Sequence, residues 1–106
     1  MKRTFYVAGV QFRPKGDITL ASNILKEGDK LFLLPEPTNK FDPNAVRIIF
    51  DNGGVQFMLG FVPKKFSASV SAVIEVGVKL DCILTTFNPS AKPWEMLEVE
   101  IVEVKE

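Results

Sequence analysis

The sequence has no histidine and one cysteine, Cys82. A lone thiol cannot close an intramolecular disulfide, and without histidine a zinc site of the ordinary kind cannot be assembled within one chain. The usual neutral-pH general base is missing as well. No apolar run approaches the length of a membrane span. The start Met1-Lys2-Arg3 is basic, but the apolar stretch after it is short, alternates and has no clear cleavage site, so it reads as a first strand and not as a signal peptide. Cytoplasm is the default compartment. Net charge is zero, which argues against a protein that coats DNA by charge alone. The charge is unevenly spread. Met1 through Lys79 carries 11 Lys/Arg and 7 Asp/Glu, a balance of +4, and the remainder carries 2 and 6, a balance of −4. That asymmetry leaves room for a local anion site on the basic part.

What is present is a core. Nearly half of the 106 residues are apolar, enough for one domain over 1–106 without staples. Thr4 to Phe12 alternates and predicts a strand, with Gly9 marking a bulge or a close backbone approach. Gln11, Phe12 and Arg13 fall at its end, before the breaker Pro14-Lys15-Gly16. Asp17 to Glu27 fits a short helix through Leu20, Ala21, Ile24 and Leu25. Lys30 to Leu34 predicts a buried strand. Ala45 to Phe50 and Val55 to Val62 predict two more, joined by a hairpin at Asp51-Asn52-Gly53-Gly54. Gly60 marks a bend or an approach site. Pro63 suits the first position of a helix that carries Phe66, Val70, Val73 and Ile74 at helical spacing and ends at Gly77. Val78 to Leu84 alternates with Cys82 inward, which makes Cys82 a buried thiol. Trp94 to Val104 predicts the last strand, with Glu98 and Glu100 outward and a shift of phase after Ile101. The total is mainly β with α: about six strands, one firm helix and a second short one. That pattern predicts a small OB-like barrel or a related sandwich.

Between the second and third strands lies Leu33-Leu34-Pro35-Glu36-Pro37-Thr38-Asn39-Lys40-Phe41-Asp42-Pro43-Asn44-Ala45-Val46. It is too polar and too proline-rich to be core. Its prolines hold Glu36 and Asp42 extended, and Asp42-Pro43-Asn44 has the chemistry of a tight turn with an Asx acceptor first. The stretch displays Glu36, Asn39, Lys40, Phe41 and Asp42 at one edge of the domain. On composition alone it reads first as a well-made turn, because turns of these residues are common. Lys64 and Lys65 open the later helix, where cations oppose the helix dipole. Such a start suits a phosphate, or it is a solvated helix end with two ordinary lysines.

These residues resemble the HIRAN domain. The likeness is carried by Val7-Ala8-Gly9-Val10, by Gly28-Asp29-Lys30-Leu31-Phe32-Leu33, and above all by Glu36-Pro37-Thr38-Asn39-Lys40-Phe41-Asp42-Pro43-Asn44-Ala45-Val46. It continues through Leu59-Gly60-Phe61-Val62-Pro63 and spans about Tyr6 to Gly77. The family occurs on the N-terminal side of some helicase-like fork-remodelling ATPases and as short standalone bacterial and phage proteins. The resemblance implies an OB-like fold and a grip on the 3′ end of single-stranded DNA. It implies Phe41 as an aromatic against the terminal nucleotide, Asp42 as acceptor for the 3′-hydroxyl, Phe12 as a second aromatic wall and Lys64 as a phosphate contact. Better-known members carry an Arg-Tyr pair where this chain has Gln11-Phe12, and Tyr where it has Phe41. Two hydroxyls and one positive charge are therefore missing, and Arg13 is the nearest replacement for the charge. The candidate nucleic-acid-binding residues are Gln11, Phe12, Arg13, Asn39, Lys40, Phe41, Asp42, Lys64 and Lys65.

Three functional readings follow. The first is a non-catalytic binder of single-stranded DNA or DNA 3′ ends, in a repair or replication context, with a larger DNA-processing protein as a further partner. The second is a protein-interaction adaptor that keeps the fold without end recognition and uses the acidic face of Glu98 and Glu100. The third is a Mg²⁺-dependent nuclease built on Glu36 and Asp42. No third carboxylate clearly converges on that pair, and no phosphate-cradling Gly-rich loop is present. The ATP-hydrolysing and zinc modules of larger family members belong to other domains. No catalytic residue, metal, cofactor, membrane contact or small-molecule substrate is expected.

Overall fold

The protein is described by a computed structural model that covers residues 1–12, 21 and 23–104, with the side chain of Phe12 set aside. Six strands form one antiparallel sheet: β1 (Lys2–Tyr6), β2 (Lys30–Pro35), β3 (Val46–Asn52), β4 (Val55–Phe61), β5 (Leu80–Phe87) and β6 (Leu97–Glu103). Their order is β1-β6-β5-β2-β3-β4. One helix, α1 (Lys64–Glu75), follows β4. The fold is mainly β with a helix, as the alternation predicts.

The sheet does not close as a continuous barrel. Its two edge strands, β1 and β4, meet at one point just past the end of β1. There the Ala8 amide donates to the Phe61 carbonyl and the Phe61 amide donates to the Ala8 carbonyl, each at 2.8 Å. Gly60 makes the approach possible. A Cβ at that position would lie 2.3 Å from the Ala8 carbonyl oxygen and 2.7 Å from a methyl of Val7. Backbone meets backbone there, so no side chain fits.

The core lies on the inner face. Period-2 alternation sends Leu97, Val99 and Ile101 of β6 inward against Cys82 and Leu84 of β5 and Ile48 of β3. Burying each such aliphatic side chain contributes about 1.5–3 kcal/mol. Helix α1 covers one side with Phe66, Val70 and Ile74, and Phe66 stacks on Phe5 with ring centroids 5.6 Å apart. Pro63 sits at the N-cap and not at the first helical position. Its carbonyl accepts from the amides of Phe66 and Ser67.

Several expectations need correction. The first strand does not run to Phe12; it stops at Tyr6, and Val10–Phe12 is a 3-10 turn. Gly9 takes a positive φ of 74°, which turns the chain and buries Val10. The last strand begins at Leu97, because Pro93–Glu95 forms another 3-10 turn that leaves Trp94 exposed. No phase shift follows Ile101, since β6 pairs in unbroken register with β1 from Glu98 to Val102. The bulges are elsewhere, at Thr85 of β5 and Leu59 of β4. The hairpin after β3 forms where it is expected, with Gly53 and Gly54 carrying the positive φ angles and Asn52 pairing with Val55. Of the helix expected over Asp17 to Glu27, residues 17–20 and 22 lie outside the described residues, and 23–27 are turn and irregular chain, so no helix runs to Gly28. Of its apolar positions, Ala21 and Leu25 are buried and Ile24 is exposed.

Two outcomes follow from this packing. Gly60→Ala is expected to lower stability by about 2–3 kcal/mol through overpacking, read as a lower urea midpoint. Cys82 is buried as expected, and burial pushes its thiol up to about 12. At about pH 8 a thiol reagent should therefore label the native protein no faster than it unfolds, and label it at once in urea.

Candidate nucleic-acid interface

The connection from β2 to β3 is built by its own side chains. The Glu36 amide donates to the Ala45 carbonyl at 2.8 Å and closes the base of the loop. Asn39 holds the middle. Its Oδ1 accepts from the amides of Phe41 at 2.9 Å and Asp42 at 3.0 Å. Asp42 then opens the Asx turn that the sequence predicts, its Oδ1 accepting from the Asn44 amide at 2.9 Å. The Ala45 amide donates to the Asp42 carbonyl at 3.0 Å and completes the turn.

This internal bracing sorts the displayed residues into two groups. Glu36 is not presented to a ligand, because its carboxylate accepts from Arg47 Nε across the base of the loop. Asn39 has its side-chain oxygen spent on the backbone. Phe41 is the reverse case, with 88% of its surface exposed. A phenylalanine that open to water gains nothing from burial within the fold. Asp42 points its other oxygen, Oδ2, at α1, where the Ser67 hydroxyl donates to it at 2.7 Å.

Phe41 and Asp42 stand on the wall of a cleft of about 650 Å³. Ala8 and Gly9 form one part of it, and Phe61, Val62 and Ala45 add apolar surface. Asn39 and Lys64 supply the polar rim. Most of these positions depend on the Ala8–Phe61 junction, which brings the two sheet edges beside the loop. Lys64 is exposed, and its charge acts on Asp42. Among the described residues the cleft thus offers an open aromatic, an apolar wall, a fixed carboxylate and one cation. That set suits a flat apolar ring joined to a group carrying a hydroxyl and a phosphate.

Of the residues expected at the site, the cleft unites Asn39, Phe41, Asp42 and Lys64. Lys40 is exposed but does not line it. Lys65 turns away, its ammonium 5.2 Å from the centre of the Phe66 ring. Gln11 is exposed on the 3-10 turn and does not line the cleft. Arg13 and the side chain of Phe12 lie outside the described residues. Sequence reasoning missed Ala8, Phe61, Val62 and Ser67. Ser67 had a signal, a polar residue on the apolar stripe of α1 between Phe66 and Val70. The carboxylates weighed for Mg²⁺ are engaged separately, Glu36 by Arg47 and Asp42 by Ser67 and Asn44. Among the described residues no group of three or more His, Cys, Asp or Glu is placed to hold a metal ion. A second groove, of about 550 Å³, includes Lys30 and Asp81, which pair with each other at 2.9 Å.

The sequence model of the HIRAN domain matches residues 3–102. No curated protein matches the chain. Among solved structures, the chain is similar to the HIRAN domain of human HLTF at 11% identity and a TM-score of 0.72, covering 96% of this chain and 74% of that one. It is also similar to a protein from Lactobacillus plantarum at 19% identity and a TM-score of 0.76, covering 97% of each chain. At these identities the two structures support the fold alone.

The Asp42 environment has a consequence in acid. The Ser67 hydroxyl first, the Asn44 amide next and Lys64 last hold its carboxyl below the ordinary 3.8, against an opposing effect of partial burial. The folded state therefore favours the ionised form. The stability it contributes is complete well above 3.8 and is lost as pH falls through the lower folded value. Asp42→Asn should unfold at lower urea than the parent at about pH 7, and the gap should narrow at about pH 3.

Proposed function

The chain belongs to the HIRAN domain family, a nucleic-acid-binding module, and we propose that it is a non-catalytic binder of single-stranded DNA that reads the 3′ end. The observation that carries the reading is Phe41, an almost fully exposed aromatic beside a fixed carboxylate at the mouth of an apolar cleft. Phe41 stacks on the terminal base. Stacking accepts any base and contributes about 1–3 kcal/mol. Asp42 accepts a hydrogen bond from the terminal 3′-hydroxyl, and Lys64 meets a neighbouring phosphate. Asn39 and Lys40 support the same edge. Gln11, Phe12 and Arg13 enter from the family resemblance and Lys65 from the cationic start of α1, as flanking contacts to the strand.

A carboxylate is a selective element at such a site. A strand that continues past the cleft places a phosphate near Asp42 and is repelled, whereas a terminal hydroxyl is accepted. Among the described residues Lys64 is the cation that lines the cleft, so binding is modest and its salt slope shallow, about −0.7 per phosphate contacted. Binding and not turnover is the role assigned here, with a DNA-processing protein as the larger partner.

The test is fluorescence anisotropy at low salt with a short single-stranded oligomer ending in a 3′-hydroxyl, set against the same oligomer ending in a 3′-phosphate. The hydroxyl end should bind about tenfold more tightly, the scale of one hydrogen bond to a charged group. Phe41→Ala should weaken both by about 1–3 kcal/mol. Its stability should change by no more than about 0.5 kcal/mol, because the ring is exposed. Equal affinity for the two ends would reduce the protein to a general single-strand binder. No binding to either would favour the adaptor reading.

A further inference from the structure

Ser67 is the one buried polar side chain among the described residues, with 1% of its surface exposed. It occupies the inner stripe of α1, where an apolar residue is the ordinary choice. Its hydroxyl has two acceptors in reach, Asp42 Oδ2 at 2.7 Å and the Lys64 carbonyl at 3.1 Å. The single proton goes to the nearer, charged acceptor. The Lys64 carbonyl alone would satisfy that donor within the helix. The bond across to Asp42 is therefore not needed to keep Ser67 content in the core, and its effect falls on Asp42.

That effect is geometric. The Asn44 amide holds Oδ1 and the Ser67 hydroxyl holds Oδ2, so the carboxylate is pinned at both oxygens from two different elements. Each oxygen keeps a second lone pair for a ligand. With both ends fixed, the carboxylate stands at the cleft in one orientation, and none of the ligand's binding energy is spent on ordering the side chain. We infer that Ser67 is a positioning residue that sets hydroxyl-end selectivity by locking the Asp42 carboxylate from inside the core, an inference that rests on the end-recognition reading above. Lys64 is the charged neighbour that acts on the same carboxylate. It adds charge but no second anchor, since no hydrogen bond joins it to Asp42 in the structure.

The experiment compares the parent, Ser67→Ala, Asp42→Asn and the double variant with the two oligomers, one ending in 3′-hydroxyl and one in 3′-phosphate. Ser67→Ala keeps the helix, because alanine is the better helix former and removes only one oxygen. The hydroxyl-over-phosphate preference should fall from about tenfold to about threefold in Ser67→Ala, since the Asn44 amide still holds Oδ1, and Ser67→Ala should change nothing further in the Asp42→Asn background. The Asp42 carboxyl, followed by carbon NMR against pH, should titrate higher in Ser67→Ala than in the parent, and hydroxyl-end binding should fail at correspondingly higher pH. A parent that discriminates and a folded Ser67→Ala that discriminates equally would overturn the inference while leaving the end-recognition reading intact. An equal loss in the Asp42→Asn background would also overturn it, because Ser67 would then act other than through Asp42. A parent with no preference would overturn both.

Discussion

Two hydrogen bonds between Ala8 and Phe61 carry more of this structure than their number implies. They join the edges of an otherwise open sheet at one point, and the cleft lies at that point. Ala8 and Gly9 arrive from the end of β1, and Phe61 and Val62 from the end of β4. The junction exists because Gly60 leaves no Cβ between the strands. Its position in the chain also matters. Val62 and Pro63 follow directly, so α1 begins beside the junction, and its first turn brings Lys64 and Ser67 to the same place. A single tight contact thus sets where the apolar wall ends and where the polar rim begins.

The β2–β3 loop divides its work in a way that its order in sequence conceals. Glu36, Asn39 and the backbone of Asp42 and Ala45 hold the loop in shape. Phe41 and the carboxylate of Asp42 are what remains to face outward. The prolines contribute by fixing φ, so the loop loses less conformational freedom on folding than a flexible one would. A loop braced at its base, middle and tip can keep an exposed phenylalanine in one place.

The strands were legible because alternation is a direct consequence of the pleat, and Leu97, Val99 and Ile101 or Cys82 and Leu84 show it without ambiguity. The Asx turn at Asp42 and the close approach at Gly60 were legible for a similar reason, since each depends on the local chemistry of one residue. What failed was anything set by partners distant in sequence. Alternation from Thr4 to Phe12 continues on paper through Gly9, but the real chain turns there to meet Phe61. The apolar character of Val102 and Val104 looked like a change of phase, whereas the bulges that adjust the sheet are at Thr85 and Leu59. In the loop, nothing local separates Asn39, which is spent on backbone amides, from Asp42, which has lone pairs to offer. The place of Ser67 on the apolar stripe of α1 was a local signal, but its partner, 25 positions away, was not legible.

Neutrality constrains what such a cleft can recognise. A protein of zero net charge gains little from releasing counterions along a nucleic-acid backbone. Its affinity must come from contacts that do not depend on charge, and the open ring of Phe41 is the clearest of these. The carboxylate of Asp42 sharpens the constraint. Beside a passing backbone it would face phosphate and oppose binding, and a site built for internal strand would gain by losing it. On the proposed reading the two features reconcile only where a phosphate is absent, at the end of a strand, where the same carboxylate meets a hydroxyl. Weak general electrostatics then become part of the selectivity, because there is little non-specific attraction for a specific contact to overcome.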